Sequence, residues 1–114
     1  MTRKAMALNP HHPSWYWATV SNYYYTRRDY EHALAAALKW NDPDFYHSQM
    51  HLARAYGQLG RKKEAQAAAA RLLKLYPDFP QKVREELRRW TSDEPGIEHV
   101  VEGLRKAGLE IPPE

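Results

Sequence analysis

The sequence predicts an all-α protein built from short, paired helices. Apolar residues recur at spacings of three and four, the period of a helix with one buried face, as in Tyr46, Met50, Ala53 and Tyr56. No segment alternates apolar and polar residues between hairpin turns, which is the pattern of strands. Prolines interrupt the chain at near-constant intervals, at positions 10, 43 and 77, and proline is typical of helix ends.

The composition is that of one small domain. The chain has 114 residues, of which 43% are hydrophobic and 27% charged, enough for a single modest core. Its longest apolar run, residues 33–38, is far shorter than the ~20 residues of a membrane span. The basic start MTRKAMALNP lacks the apolar stretch of a signal peptide. We therefore expect neither a leader nor a membrane partner.

Cysteine usage and charge narrow the function classes further. Cysteine is absent, which excludes disulfides, thiolate chemistry and cysteine-bound zinc and is compatible with a cytoplasmic location. The net charge is only +3, and the basic residues are spread along the chain. A nucleic-acid-binding domain more often gathers its positive charge on one face. We therefore expect no nucleic-acid partner.

A pattern long enough for one helix pair occurs twice. Pro-Asp-Phe at 43–45 returns at 77–79, an offset of 34 residues. Both copies also contain the same series at equal spacing: a large residue, an apolar residue, a small residue and a tyrosine. The first copy has Trp17, Val20, Ser21 and Tyr24, and the second has Gln49, Leu52, Ala53 and Tyr56. Alanines follow each tyrosine at matching distances, at 33 and 37 and again at 65 and 69. The equal spacing predicts two similar helix pairs.

The turns between these segments carry helix-capping residues. We expect Asp29, Asp44 and Asp78 to cap the helices that follow them, because a short carboxylate can accept hydrogen bonds from free backbone N–H groups. Gly60 is a permissive turn residue, and Gly108 is a natural C-cap for the last helix.

The repeat resembles the tetratricopeptide repeat, whose 34-residue pattern is W-x-x-L-G-x-x-Y, then A-x-x-x-F, then P. Six positions match outright: Trp17, Tyr24, Ala33, Tyr56, Ala65 and Pro77. Ala37 and Ala69 replace the aromatic residue of the pattern, so we expect slimmer second helices, with Trp40 filling the lost volume in the first copy. The resemblance implies a right-handed α-solenoid of antiparallel helix pairs.

Four segments of one domain are implied by this resemblance. Residues 1–13 are expected to be the tail of a preceding part-repeat, 14–45 and 46–79 two full repeats, and 80–114 a degenerate helical pair that caps the array. More loosely, the strings NPHHPSWYW and GLRKAGL are similar to the C-terminal repeat region of bacterial multidomain signalling proteins such as class III nucleotide cyclases. No cyclase catalytic segment is present.

Seven aromatic residues crowd the first predicted helix and its turn: Trp15, Tyr16, Trp17, Tyr23, Tyr24, Tyr25 and Tyr30. A base-stacking platform would interleave them with basic residues, but only Arg27 and Arg28 follow. A cofactor pocket would need a glycine-rich loop or a ligand set, and neither accompanies them. Helical stripes such as Trp17, Val20 and Tyr24 favour packing. We therefore expect the cluster to be mainly core.

Another face of the first helix in each predicted pair could contact a partner. In tetratricopeptide domains this face lines the concave groove where partner peptides lie. Carried over by position, the resemblance implies a groove made of Trp15, Asn22, Tyr25, His47, Met50, Arg54 and Gln58. Its amides, guanidinium and apolar groups suit a peptide. The alternative is an unused solvated face, or a face covered by another subunit.

Catalytic and metal-binding patterns are missing. His47 and His51 stand four apart, a spacing that can hold a metal, but no carboxylate or third ligand accompanies them. No serine lies in a nucleophile motif, and no phosphate-binding glycine pattern occurs. The pair Glu85-Glu86 is more typical of a solvated face than of a catalytic acid pair. We therefore expect no enzyme, no metal and no cofactor.

The sequence thus predicts a protein-interaction module that presents a concave groove to a peptide or helical segment of a partner. A second hypothesis is a structural or regulatory appendage of a larger signalling protein, which packs against its neighbours or forms a homodimer through its N-terminal edge. The apolar start AMALNP favours this second hypothesis, since an open half-repeat needs cover.

Overall fold

The computed structural model describes residues 14–40 and 42–113, with the side chains of Ser14 and Trp15 outside that description. These residues form six helices: α1 Ser14–Thr26, α2 Tyr30–Trp40, α3 Tyr46–Leu59, α4 Lys62–Leu75, α5 Phe79–Arg88 and α6 Glu94–Lys106. The prediction of an all-α fold is confirmed. The part-repeat expected at 1–13, and with it the N-terminal edge, lies outside the described residues.

The turns within the first two helix pairs are short and carry residues in the left-handed backbone region. Arg28 after α1 has φ 62° and Gly60 after α3 has φ 74°. Gly60 ends α3 by donating its backbone N–H to the carbonyls of Tyr56 and Gly57, which confirms its predicted role. Because each connection is only a few residues long, each second helix folds back on the first.

Only one of the three predicted aspartate caps forms. Asp29 accepts a hydrogen bond from the backbone N–H of His32 at 3.3 Å and so caps α2. The prediction for Asp44 is wrong, because Phe45 takes the N-cap position of α3 with no side-chain bond. Asp78 takes the predicted N-cap position of α5, but its backbone is not extended (φ −87°, ψ 4°) and its carboxylate makes no capping bond.

Small residues bring the helices of the first two pairs together. Ala33 and Ala65 are fully buried, and the Ser21 hydroxyl, also buried, donates to the Ala33 carbonyl at 3.0 Å. A side chain no larger than a methyl or hydroxymethyl group lets two helices approach closely while the polar atom keeps a partner. Ser21 and Ala33, two of the predicted repeat positions, therefore lie at the interface of the first pair.

The aromatic cluster is divided between core and surface. Tyr25 is completely buried, and Tyr24 and Tyr30 pack against the core. Tyr23 is 51% exposed and lies under the guanidinium of Arg27, 3.7 Å from its ring centroid. The expectation of a mainly structural cluster thus fails at Tyr23, which is exposed. No helix in the described residues is long and apolar enough to cross a membrane.

Candidate functional site

The last helix, α6, packs across the face of α3 that the sequence assigns to a concave groove. Two glycines make this crossing possible. A Cβ added to Gly57 of α3 would collide with the carbonyl oxygen of Gly103 of α6, and a Cβ on Gly103 would lie 2.9 Å from the Arg54 carbonyl oxygen. The two helices therefore meet backbone to backbone, at a separation that any side chain here would prevent.

A chain of hydrogen bonds holds α6 against α1 and α3. The Tyr25 hydroxyl donates to the His99 carbonyl at 2.7 Å. The Gln58 side chain donates to Glu102 at 2.9 Å and accepts from Lys106 at 2.9 Å. Burial raises the pKa of Tyr25 to about 12, so the donor is protonated at neutral pH.

Beside this crossing, the fold leaves a cleft of about 490 Å³ between α1, α3, the end of α5 and the start of α6. We call it the α6 cleft. Its lining residues are Ala18, Thr19, Asn22, Thr26, Trp40, Phe45, His47, Met50, His51, Arg54, Leu87, Trp90, Thr91, Asp93, Gly96, Ile97 and Val100. The volume lies in the range of small-ligand sites, and such sites combine apolar walls with a few placed polar groups.

Apolar and aromatic side chains form the walls of the α6 cleft. Trp90 is 75% exposed and Phe45 37% exposed, which is unusual for such large apolar groups. Trp40 stands edge-on to Phe45, with ring centroids 5.8 Å apart, and to His51 at 5.3 Å. Met50 is buried. Trp40 therefore lines the cleft, and its filling of lost volume stays a prediction.

Arg54 lies under the floor of the α6 cleft and is only 1% exposed. Its guanidinium stacks on the Tyr25 ring, 4.1 Å from the centroid, and its Nη2 lies 3.0 Å from His51 Nδ1. Both Nη atoms also donate to Asn22 Oδ1, at 3.4 Å each, which is long for a hydrogen bond. Burial lowers its pKa to about 10, so the side chain stays charged at neutral pH.

The two histidines of the α6 cleft are held neutral by their surroundings. Burial holds the pKa of His51 well below its usual range, and the charge of Arg54 lowers it further. Burial also lowers the pKa of His47. No cluster of metal-ligating side chains occurs anywhere in residues 14–40 and 42–113, so the described neighbours of this pair do not build a metal site.

The seven predicted groove residues have different fates. Asn22, His47, Met50 and Arg54 do line one cleft. Tyr25 is completely buried, and Gln58 is half-buried and bonds Glu102 and Lys106 of α6. Neither of them lines the cleft, and a partner-binding role for the seven residues stays a prediction. Met50 and Arg54 are buried floor residues rather than exposed contacts. Trp15 belongs to α1, with its side chain outside the described residues.

Sequence reasoning missed the other half of the α6 cleft. Trp40, Phe45 and Trp90 were not assigned to a site, and neither were Ile97 and Val100 of α6. The available signal was the apolar stripe of α6, which predicts a buried helix face but not the surface on which that face docks.

Comparison with protein-family models, with curated proteins and with solved structures finds no match. A function for this chain is therefore inferred from the geometry of the α6 cleft.

Proposed function

We propose that this chain is a non-catalytic protein-binding module of the tetratricopeptide type, and that a partner segment enters the α6 cleft rather than an open groove. Two helix pairs with small residues at their interfaces support the repeat architecture. In this proposal the terminal pair, α5 and α6, caps the array and narrows its groove to a pocket.

One observation carries the proposal: large apolar side chains remain exposed around a preformed concavity. Trp90 and Phe45 flank an opening whose floor holds a buried methionine. Exposed aromatic groups that border a pocket mark interaction sites, and an aromatic anchor in such a pocket is the usual centre of binding energy. The cleft would hold one or two side chains of an extended or helical segment.

A selection with random peptides displayed on phage tests this proposal. The immobilised full chain is expected to enrich peptides with a shared apolar anchor. Thr19→Trp fills the cleft from the exposed surface of α1 and should lose those peptides. Ala70→Trp, at an exposed position on α4, adds the same side chain away from the cleft and should retain them.

Two results contradict the proposed function. One is equal enrichment by the wild type and Thr19→Trp, which would place the binding surface elsewhere. The other is no enriched peptide from either, with circular dichroism showing both proteins to be helical.

A further inference from the structure

Trp90 projects from the turn between α5 and α6 and is the most exposed of the large apolar side chains that the structure describes. It is 75% exposed, whereas the next, Tyr23, is 51% exposed. Its backbone N–H donates to the Leu87 carbonyl at 3.0 Å, so the turn fixes the place from which the indole projects. The described ring contact of the indole is an edge-on one with His47, with centroids 6.4 Å apart. A large aromatic group held uncovered at the rim of a concavity marks an interaction surface.

The same surface also contains a recess. The α6 cleft opens beside Trp90, with Phe45 in its wall and the buried Met50 at its floor. Its volume of about 490 Å³ lies in the range of sites that enclose a small molecule, so it has room for one indole. A surface with both a projecting group and a recess can bind a second copy of itself about a two-fold axis, because each copy then gives and receives the same contact.

The charges on either side of Trp90 favour this two-fold arrangement. Arg89 precedes it and has a side chain that is 68% exposed, with its described ion pair to Glu86 at the long distance of 3.7 Å. The exposed Asp93 follows it, and its carboxylate takes part in none of the ion pairs of the described residues. A two-fold axis at the middle of residues 89–93 sets the two copies of this segment antiparallel, so Arg89 of each copy faces Asp93 of the other. Opposite charges thus meet at both ends of the contact, which favours a second copy as the occupant.

The area of this contact indicates a weak dimer. One tryptophan side chain removes on the order of 150–250 Å² from water when it is buried. A stable interface needs roughly 600 Å² from each partner, so Trp90 supplies about a third of that minimum. Exposed side chains at the cleft, those of Asn22, Phe45 and Thr91, add to it. We therefore expect a dimer that dissociates in roughly the micromolar range rather than an obligate one.

We propose that the partner segment of the α6 cleft is the α5–α6 turn, residues 89–93, of a second copy of this chain. In the dimer, the indole of Trp90 from each copy packs against Phe45 of the other, and Arg89 pairs with Asp93 across the axis. This inference rests on the proposed function and deepens it, because it names the partner of the same cleft. The dimer closes both clefts, so any other segment binds in competition with it.

Sedimentation velocity of the full chain at neutral pH, from about 1 to 300 µM, tests for the dimer. The average mass is expected to rise from that of one chain towards that of two across this range. Trp90→Ala removes the projecting indole at an exposed position and should weaken dimerisation at least about tenfold, as the loss of a central aromatic anchor does. Tyr23→Ala is the matched control, because it removes the next most exposed aromatic side chain outside the cleft, and it should dimerise as the wild type does.

Exchange of the two charges tests the two-fold register. Arg89→Glu alone and Asp93→Lys alone place like charges at both ends of the contact, and each should weaken dimerisation about tenfold. An equimolar mixture of the two variants should dimerise about as tightly as the wild type, because each end then joins opposite charges. Circular dichroism first establishes that both variants are as helical as the wild type.

The absence of cysteine allows the axis to be located directly. Thr91→Cys introduces the single thiol of the chain at the middle of residues 89–93. Mild oxidation should link two copies through it, because residues beside a two-fold axis lie within the roughly 7 Å between Cα atoms that a disulfide can span. Gln66→Cys, at an exposed position on α4, should stay unlinked under the same conditions.

The outcomes separate the two proposals. Dimerisation of Trp90→Ala as tight as that of Tyr23→Ala, or a mixture of the charge variants no tighter than either variant alone, would overturn this inference. Equal linking of Thr91→Cys and Gln66→Cys would also overturn it, since the turn would then hold no special place in the contact. A wild type that stays monomeric at every concentration and still binds phage-selected peptides would preserve the proposed function and overturn this inference alone.

Discussion

Two helix contacts in this molecule are built in different ways. Within the first pair, α1 and α2 meet through a serine and an alanine, Ser21 and Ala33, that lie 12 residues apart in sequence. Between α3 and α6 the contact is made by Gly57 and Gly103, with hydrogen bonds that join α1 and α3 to α6 around it. The first contact follows from local pairing, whereas the second joins segments that are far apart in the chain.

The difference shows where the molecule is sensitive to change. At the interface of the first pair, small side chains separate the two backbones, so the helices can shift slightly when a side chain changes. The short turn keeps the two helices paired during such a shift. A backbone-to-backbone crossing leaves no room for such a shift, because any added atom meets main-chain atoms that cannot rotate away. The site depends on this second contact, because α6 supplies one wall of the cleft.

The largest expected effect comes from breaking the crossing. Gly103→Val would direct a branched side chain at the Arg54 carbonyl and the Tyr25 hydroxyl, and we expect the free energy of unfolding to fall by about 3 kcal/mol, the upper range for overpacking. Gly96→Ala is the matched control on α6, since its added Cβ meets only the Asp93 side chain, which can move. Equal effects of the two changes in urea unfolding would show that the crossing is not tight.

We expect acid to lower the free energy of unfolding by an intermediate amount. Because burial lowers the pKa of His51 and of His47, the unfolded chain takes up protons below about pH 6.5 that the folded chain does not. The stability from these histidines is therefore present above about pH 6.5 and is lost as the pH falls further, by about 1 kcal/mol or more by pH 5.5. The histidine described in the first helix pair, His32, is exposed, whereas burial also lowers the pKa of His99 on α6. The expected loss therefore belongs to α3 and α6.

His51→Gln tests whether His51 contributes to this pH dependence of the free energy of unfolding. It should make the free energy of unfolding less dependent on pH between about pH 7 and 5.5 than that of the wild type. An unchanged slope in His51→Gln would show that the buried imidazole is not the group that titrates.

The smallest expected effect on the free energy of unfolding comes from removing ion pairs, of which two are compared. Arg84 donates through Nε to Glu98 at 2.7 Å and through Nη2 at 3.1 Å, which joins α5 to α6. Arg61 and Glu64 pair at 3.0 Å within the exposed start of α4. We expect Glu98→Gln to lower the free energy of unfolding by about 1 kcal/mol and Glu64→Gln by a few tenths, because the bidentate pair is better ordered. A larger loss at Glu64 in thermal unfolding would reverse this ranking.

Much of the fold could be predicted from particular residues. Tyr24 is followed by Ala33 at the same distance as Tyr56 is followed by Ala65. This equal spacing indicated two helix pairs, because residues at helix-pair contacts recur at fixed spacing. The aspartate caps were less predictable: Asp44 and Asp78 have the right residue type, yet a one-residue shift or a non-extended backbone removes the bond.

The candidate site was only half predictable for a physical reason. The resemblance to a repeat implied a shared face for Asn22, His47, Met50 and Arg54, and these four residues line one cleft. Ile97 and Val100 join them only because α6 docks on α3, and no local signal sets that long-range contact. The roles of Gly57 and Gly103 emerge only when the two helices are seen to cross.

The docking of α6 on α3 is the contact on which the site depends, and glycine-selective isotope labelling tests it directly. The chain has five glycines, so their signals can be assigned one by one by substitution. We expect a strong nuclear Overhauser effect between the α-protons of Gly57 and Gly103 in the full chain at neutral pH. Its absence, with Gly103 instead showing effects to residues of α4 or α5 only, would contradict the docking and the cleft that it forms.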